Sequence, residues 1–183
     1  MNNRKEELRK KLIYIRTNID EKFKKEKKIN ETLCSLISYK NEVVAGYFPY
    51  NSEVDVMPFL NHLEKKKIIL CLPFIREKNS YLLFKLWKPD FKLVEGKYKI
   101  MTPENNHFCE PTSIIIPLLG FDINKNRLGY GGGFYDRTIE FLEKKKKVLK
   151  IGVAFEEQEI NTVPSMKYDK KLDLIVTPNR VIK

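Results

Sequence analysis

The stretch from Ser113 to Arg137 constrains this chain more than any other. A continuous apolar run, Ser113-Ile-Ile-Ile-Pro117, leads into a loop that holds five of the chain's eight glycines, and Tyr135, Ile139 and Leu142 follow at i, i+4 and i+7. An unbroken Ile run is what a central strand of a parallel sheet needs, because both of its faces are covered. A glycine loop between such a strand and a helix lets backbone N–H groups converge on an oxyanion at the helix start. The loop is not a Walker A sequence, since no Gly-Lys-Ser/Thr follows. Gly129, Gly131 and Gly132 do not complete a G-x-G-x-x-G fingerprint either. Arg127 and Arg137 flank the glycines with charge that balances phosphate, and Asp136 offers a hard oxygen to Mg²⁺. A plain tight turn is the other reading of a glycine cluster, and the flanking Arg and Asp favour phosphate over it.

Helical and strand patterns alternate along the rest of the chain. Leu8, Leu12, Ile15 and Ile19 put an apolar stripe on a charged N-terminal helix, and a second short helix after Asn30 turns Leu33, Leu36 and Ile37 inward. Val43 to Phe48 reads as a buried strand broken by Pro49. Ser52-Glu53-Val54-Asp55 has capping-box spacing with Asp in the usual Glu place, and it predicts a helix start there, continued by Val56, Phe59, Leu60 and Leu63. Ile68 to Pro73, Tyr81 to Trp87, Val148 to Phe155 and Leu172 to Thr177 read as further strands. Lys88 to Thr112 holds three prolines and little periodicity, which predicts an irregular excursion. This alternation predicts a three-layer α/β fold with a largely parallel, mixed sheet flanked by helices. No repeat or linker interrupts it, so residues 1–183 are expected to form a single domain.

The formal net charge is +11, but Lys is spread along the whole chain and not gathered in one patch. Such a field favours anionic ligands: nucleotides, polyglutamates or nucleic acid. The runs Lys65 to Lys67 and Lys144 to Lys147 end predicted helices, where cations complement the dipole. Cys34, Cys71 and Cys109 are odd in number, widely spaced and without a C-x-x-C pair, which encodes neither a disulfide framework nor a zinc site and suits a reducing cytoplasm. The N-terminus lacks the apolar core of a signal peptide, and no stretch has the length and apolarity of a membrane span.

The run Arg127-Leu-Gly-Tyr-Gly-Gly-Gly-Phe-Tyr-Asp136, preceded by Pro117 and Gly120-Phe-Asp122, resembles the signature of the 5-formyltetrahydrofolate cyclo-ligases, also called methenyltetrahydrofolate synthetases. The similarity extends to Ala154-Phe155 with Gln158, to Val163-Pro164, to Asp169 with Asp173, and to Lys5 with Leu8-Arg9 at the N-terminus. It is weakest between Leu60 and Thr112.

The resemblance implies an ATP- and Mg²⁺-dependent enzyme that closes a folate ring in small-molecule substrates, without nucleic acid as partner; a cytoplasmic location without a membrane partner is expected from the cysteines and the lack of apolar runs, and a monomer is the default. The resemblance places the nucleotide between Lys5, Arg9 and the loop Arg127, Leu128, Gly129, Tyr130, Gly131, Gly132, Gly133, Phe134 and Tyr135, with Lys5 and Arg127 as catalytic cations. Taken alone, Lys5 and Arg9 are surface charges on a basic helix. Asp136 and Asp169 match the family's magnesium aspartates, with Asp173 in reserve. Phe48, Glu53, Tyr98 and Tyr135 match the folate pocket. Glu53 by itself is an acid that the dipole of a helix start would favour, and Tyr135 is equally a core residue. Two departures stand out: Phe134 replaces the Tyr of many members, and Ile100-Met-Thr-Pro103 replaces the usual Ile-x-Glu-Pro. His62 and His107 are expected on the surface or in packing. A basic nucleic-acid or nucleotide-binding module without chemistry, and a kinase or ligase for another substrate, are the competing readings.

Overall fold

The structure is a computed structural model, which describes residues 2–36 and 42–183. Ile37, expected to face inward from the second helix, lies outside the described residues.

The chain runs α1 (Asn2–Thr17), α2 (Lys22–Leu36), β1 (Val43–Ala45), α3 (Met57–Lys65), β2 (Ile69–Phe74), β3 (Leu83–Trp87), β4 (Leu93–Glu95), β5 (Met101–Pro103), β6 (Ser113–Pro117), β7 (Gly120–Phe121), β8 (Arg127–Leu128), α4 (Phe134–Glu143), β9 (Leu149–Val153), β10 (Leu174–Val176) and β11 (Val181–Ile182). Seven strands form one sheet in the order β11-β10-β9-β6-β1-β2-β3. The five central strands are parallel, and β3 and β11 run antiparallel at the two edges.

Alternation along each strand builds the layers. Val44, Leu70, Leu72, Ile115 and Ile151 point to one face, where Ile29 and Leu33 of α2 and Phe59, Leu60 and Leu63 of α3 cover them. Ala45, Cys71, Ile114, Ile116 and Ile175 point to the other, beneath Ile139 and Leu142 of α4. The Ile run of β6 serves both faces, which is why it carries no polar alternation. The expected three-layer α/β arrangement with a mostly parallel sheet is therefore observed.

Three local expectations need correction. First, α2 starts at Lys22, eight residues before Asn30, because its lysine-rich first half is solvated and shows no apolar stripe. Second, α3 starts at Met57 with Pro58 in its first turn, not at Ser52. The capping-box residues make a turn instead: Glu53 N donates to Tyr50 O (3.2 Å), and Glu53 Oε2 accepts from Tyr50 N (3.0 Å). Third, the segment expected to be irregular contains a hairpin of β4 and β5. The apolar stripe expected on α1 is observed, with Leu12 buried, Leu8 and Ile15 packed around it and Ile19 against the main core; what the pattern left out is that Lys5, Leu12 and Arg16 are the helix's most buried residues. They recur at i, i+7 and i+11 with Arg9 between them, so the helix shows the site a basic stripe that an apolar search passes over.

Candidate active site

The segments that follow β1 and β6, with the segment before β10, meet the basic stripe of α1 through Ser52, Leu118 and Asp169. Strand ends of an open α/β sheet are where such folds gather their ligands. After β6 the chain forms the β7–β8 hairpin, and Asp122 organises its loop. The Asp122 carboxylate accepts from the backbone N–H of Asn124 and Asn126 (3.0 Å each) and of Val163 (2.9 Å). Gln158, fully buried, donates to the carbonyls of Leu118 (2.6 Å) and Leu119 (2.9 Å) and accepts from Phe155 N (2.8 Å). These two side chains hold the root of the glycine loop.

The loop itself is Gly129 to Gly133. Gly131 (φ +96°) and Gly133 (φ +63°) occupy left-handed conformations that L side chains rarely adopt. Gly133 is the N-cap of α4, and no side chain caps that helix start. Arg9 Nε donates to Gly129 O (2.9 Å), and Arg137 donates to Gly132 O (2.6 Å) and, through Nε, to Ser80 O (3.0 Å). Cations thus engage the loop's carbonyls from both sides, while the N-terminal end of α4 presents the positive pole that stabilises anions.

Two ion pairs close the floor. Lys5 Nζ lies 2.8 Å from Asp169 Oδ2, which also accepts from Met166 N at 2.8 Å. Arg127 Nη2 lies 2.6 Å from Asp136 Oδ1, and the same oxygen accepts from the backbone N of Lys170 at 2.9 Å. Arg127 also donates to Lys170 O. Asp136 and the residue after Asp169 are therefore directly bonded, which brings the two aspartates into one corner although they stand far apart in sequence. Asp173 turns elsewhere: its carboxylate accepts from Lys150 N at 2.8 Å and fastens β10 to β9. Among the described residues no three His, Cys, Asp or Glu side chains cluster as a metal site by themselves.

In the turn after β1, Glu53 is 6% exposed. Burial pushes its carboxyl up to about 7, against the pull of the Tyr50 N–H bond and of Arg16 and Lys22. Burial likewise raises the hydroxyls of Tyr47, Tyr130 and Tyr135, with the Glu53 charge adding to each. Tyr47, Tyr130, Tyr135 and Arg16 are thus near enough to sense the Glu53 charge. Phe48 is half-buried in the segment after β1. Tyr98, 52% exposed, sits at the tip of the β4–β5 hairpin with φ +59°, its ring edge-on to that of Phe134 with centroids 5.6 Å apart. Thr102 stands at the usual Glu position of the Ile-x-Glu-Pro motif, and its hydroxyl is buried with no hydrogen-bond partner among the described residues.

The predicted site residues therefore fall into two neighbouring groups. One is Lys5, Arg9, Arg127, Asp136, Asp169 and the glycine loop; the other is Glu53 with Tyr135, while Tyr98 reaches Phe134 at the start of α4 and Phe48 follows β1 without a contact to Glu53 that the structure shows. His62 is half-buried on α3 and His107 is exposed, away from both groups. Sequence reasoning missed Arg16. It is 1% exposed, donates to Ser52 Oγ (3.1 Å), Leu118 O (3.1 Å) and Tyr130 OH, and lies between the two groups. Its spacing from Lys5 and Arg9 was the available signal.

A model of the 5-formyltetrahydrofolate cyclo-ligase family matches residues 1–178. The chain belongs to this family. Among curated cyclo-ligases, that of Mycoplasma genitalium is 31% identical over 182 residues, covering 94% of this chain and 96% of its own. The NMR structure of the Aquifex aeolicus 5,10-methenyltetrahydrofolate synthetase superposes with a TM-score of 0.80 at 32% identity, over 97% of this chain and 91% of that one. The Mycoplasma pneumoniae synthetase gives a TM-score of 0.77 at 27% identity, over 96% and 99% of the two chains. The cyclo-ligase match thus includes α1, the glycine loop and the segment around Asp169.

Proposed function

We propose that the whole chain, as one cyclo-ligase domain, converts 5-formyltetrahydrofolate to 5,10-methenyltetrahydrofolate with consumption of ATP and release of ADP and phosphate. The observation that carries this reading is the juxtaposition of the Lys5–Asp169 and Arg127–Asp136 pairs with the glycine loop, next to a buried acid among tyrosines, in a chain of this family.

A formamide carbon is a poor electrophile, and its oxygen is a poor leaving group at neutral pH. In the proposed route the formyl oxygen attacks the γ-phosphorus of ATP and the bond to ADP breaks, leaving a phosphorylated imidate. N10 then attacks the former formyl carbon, and phosphate departs with the formyl oxygen and the N10 proton. Catalysis is largely positioning and charge stabilisation. Lys5 and Arg9 approach the nucleotide phosphates from α1, Arg127 faces the transferring phosphoryl, and residues Leu128 to Tyr135 cradle the phosphates. Glu53 orients the pterin through its buried carboxyl, while Phe48, Tyr98 and Tyr135 wall the ring so that N10 reaches the formyl carbon.

The donor set suits Mg²⁺. That ion is held by one or two carboxylates and completed by phosphate and water, and the side chains of Asp136 and Asp169 keep 27% and 30% exposure in one corner. When bound there it supplies charge neutralisation to the phosphates. The enzyme is taken as a cytoplasmic monomer acting on small molecules, in keeping with its three free thiols.

Oxygen labelling tests the route. With 5-formyltetrahydrofolate carrying ¹⁸O in the formyl group, each methenyl product formed should leave one labelled oxygen in inorganic phosphate, read by mass spectrometry. Unlabelled phosphate would overturn the imidate route, and turnover without ADP would overturn the use of ATP.

A further inference from the structure

Arg16 carries a charge that the proposed reaction does not use, at a place where charge is costly. It is 1% exposed, and the oxygens its guanidinium bonds to are all neutral. A buried guanidinium of this kind persists only where its donors are satisfied. They are satisfied by three separate segments: Ser52 Oγ (3.1 Å) in the turn that holds Glu53, Leu118 O (3.1 Å) just past β6, and Tyr130 OH in the glycine loop. The guanidinium carbon also stands 5.5 Å from the centroid of the Tyr130 ring, and Tyr130 meets Tyr50 of the same turn edge-on at 6.4 Å. Leu118 O is shared with Gln158, so the sheet-side anchor is fixed.

We propose that Arg16 is a positioning residue that couples the nucleotide loop to the folate-side turn, so that each substrate binds more tightly once the other is in place. This rests on the function proposed above. A loop that closes on phosphate moves Tyr130, and Tyr130 shares one rigid fork with Ser52, the neighbour of Glu53. Coupling of this kind is reciprocal by linkage. Arg suits the role because a planar fork reaches three acceptors at once, whereas a lysine ammonium on a flexible stem cannot span them.

The test uses the full-length protein, the imido analogue of ATP and 5-formyltetrahydrofolate, with affinities from calorimetry and KM values from product formation. The wild type should bind the analogue several-fold more tightly when the folate is saturating, and the reverse by the same factor. Arg16→Lys should lose that enhancement and raise both KM values about tenfold. Tyr130→Phe should lose it too, and the double variant should add nothing further. Arg16→Lys that keeps the enhancement and both KM values while only its melting temperature falls would overturn the proposal and leave Arg16 a structural residue. If Arg16→Lys does not fold, Tyr130→Phe and Ser52→Ala each delete one acceptor, and unchanged coupling in both would overturn it equally. A wild type that makes no methenyl product overturns the parent reading instead; an active wild type with uncoupled substrates overturns only this one.

Discussion

Lys5 Nζ and Asp169 Oδ2 stand 2.8 Å apart, across 164 positions of sequence, and join the first turn of the chain to the segment that leads into the last parallel strand. The pair is partly exposed, so it contributes only about 1 kcal/mol to folding. Its weight is in the site. Asp169→Asn should lower kcat/KM about a hundredfold and raise the Mg²⁺ concentration needed for half-maximal rate, while thermal melting shifts little. A variant of ordinary rate and ordinary Mg²⁺ requirement would remove Asp169 from the site.

Glu53 makes a prediction about pH. Its folded carboxyl holds a proton up to about 7, whereas in the unfolded chain it ionises in the ordinary carboxylate range. Between those values the native state binds more protons, so stability falls as pH rises through the window and stays lower above it. Glu53→Gln should therefore stabilise the ligand-free protein at pH 8, by at most about 3 kcal/mol, and have almost no effect near pH 4. Equal shifts at both pH values, read by denaturant unfolding, would contradict the burial of this acid. The same variant should weaken folate binding.

Two glycines of the loop separate backbone geometry from ligand access. A Cβ at Gly131 would meet the Arg9 guanidinium at 3.1 Å and would sit at φ +96°, so Gly131→Ala should cost about 1–2 kcal/mol and raise KM for ATP. Gly129 has open space around its missing Cβ. Gly129→Ala should leave unfolding within about 0.5 kcal/mol of wild type while still raising KM for ATP, because the methyl stands where phosphate approaches. An unchanged KM in Gly129→Ala would move the nucleotide off this segment.

Much of the fold was legible because β6, β2 and β9 are long enough to show their apolar pattern, and because Ile139 and Leu142 of α4 keep helical spacing. What escaped was short or polar. The strands β4, β5, β7 and β8 span two or three residues each, too few for a period of two to register. The Ser52 to Asp55 spacing suggested a helix start, but Arg16 takes Ser52 Oγ and the Tyr50 amide takes the Glu53 carboxylate, so the turn closes on itself. The basic face of α1 escaped for the same reason: Lys5 and Arg16 count as polar in any pattern search, yet both are buried, Arg16 as deeply as the core. The glycine loop, its flanking Arg127 and Asp136, and Glu53 stood out by residue type and by resemblance. Arg16 becomes visible only once tertiary structure supplies its three acceptors.

The hairpin tip offers a further contrast. Tyr98 holds φ +59° without being glycine. Tyr98→Gly should be about 1 kcal/mol more stable than Tyr98→Ala, since both lose the ring and only alanine keeps the strain. Both should raise KM for the folate and leave KM for ATP near wild type. Melting curves and steady-state rates check the two halves separately, and an unchanged folate KM would take Tyr98 out of the pocket.

The most direct test of the central claim is absorbance in the methenyl-folate band after the protein is mixed with 5-formyltetrahydrofolate, Mg²⁺ and ATP, beside the same mixture without ATP and one with Asp136→Ala. The account predicts growth of the band only in the complete mixture with wild-type protein. A folded protein that gives no band, or one that gives it equally without ATP, would contradict the account.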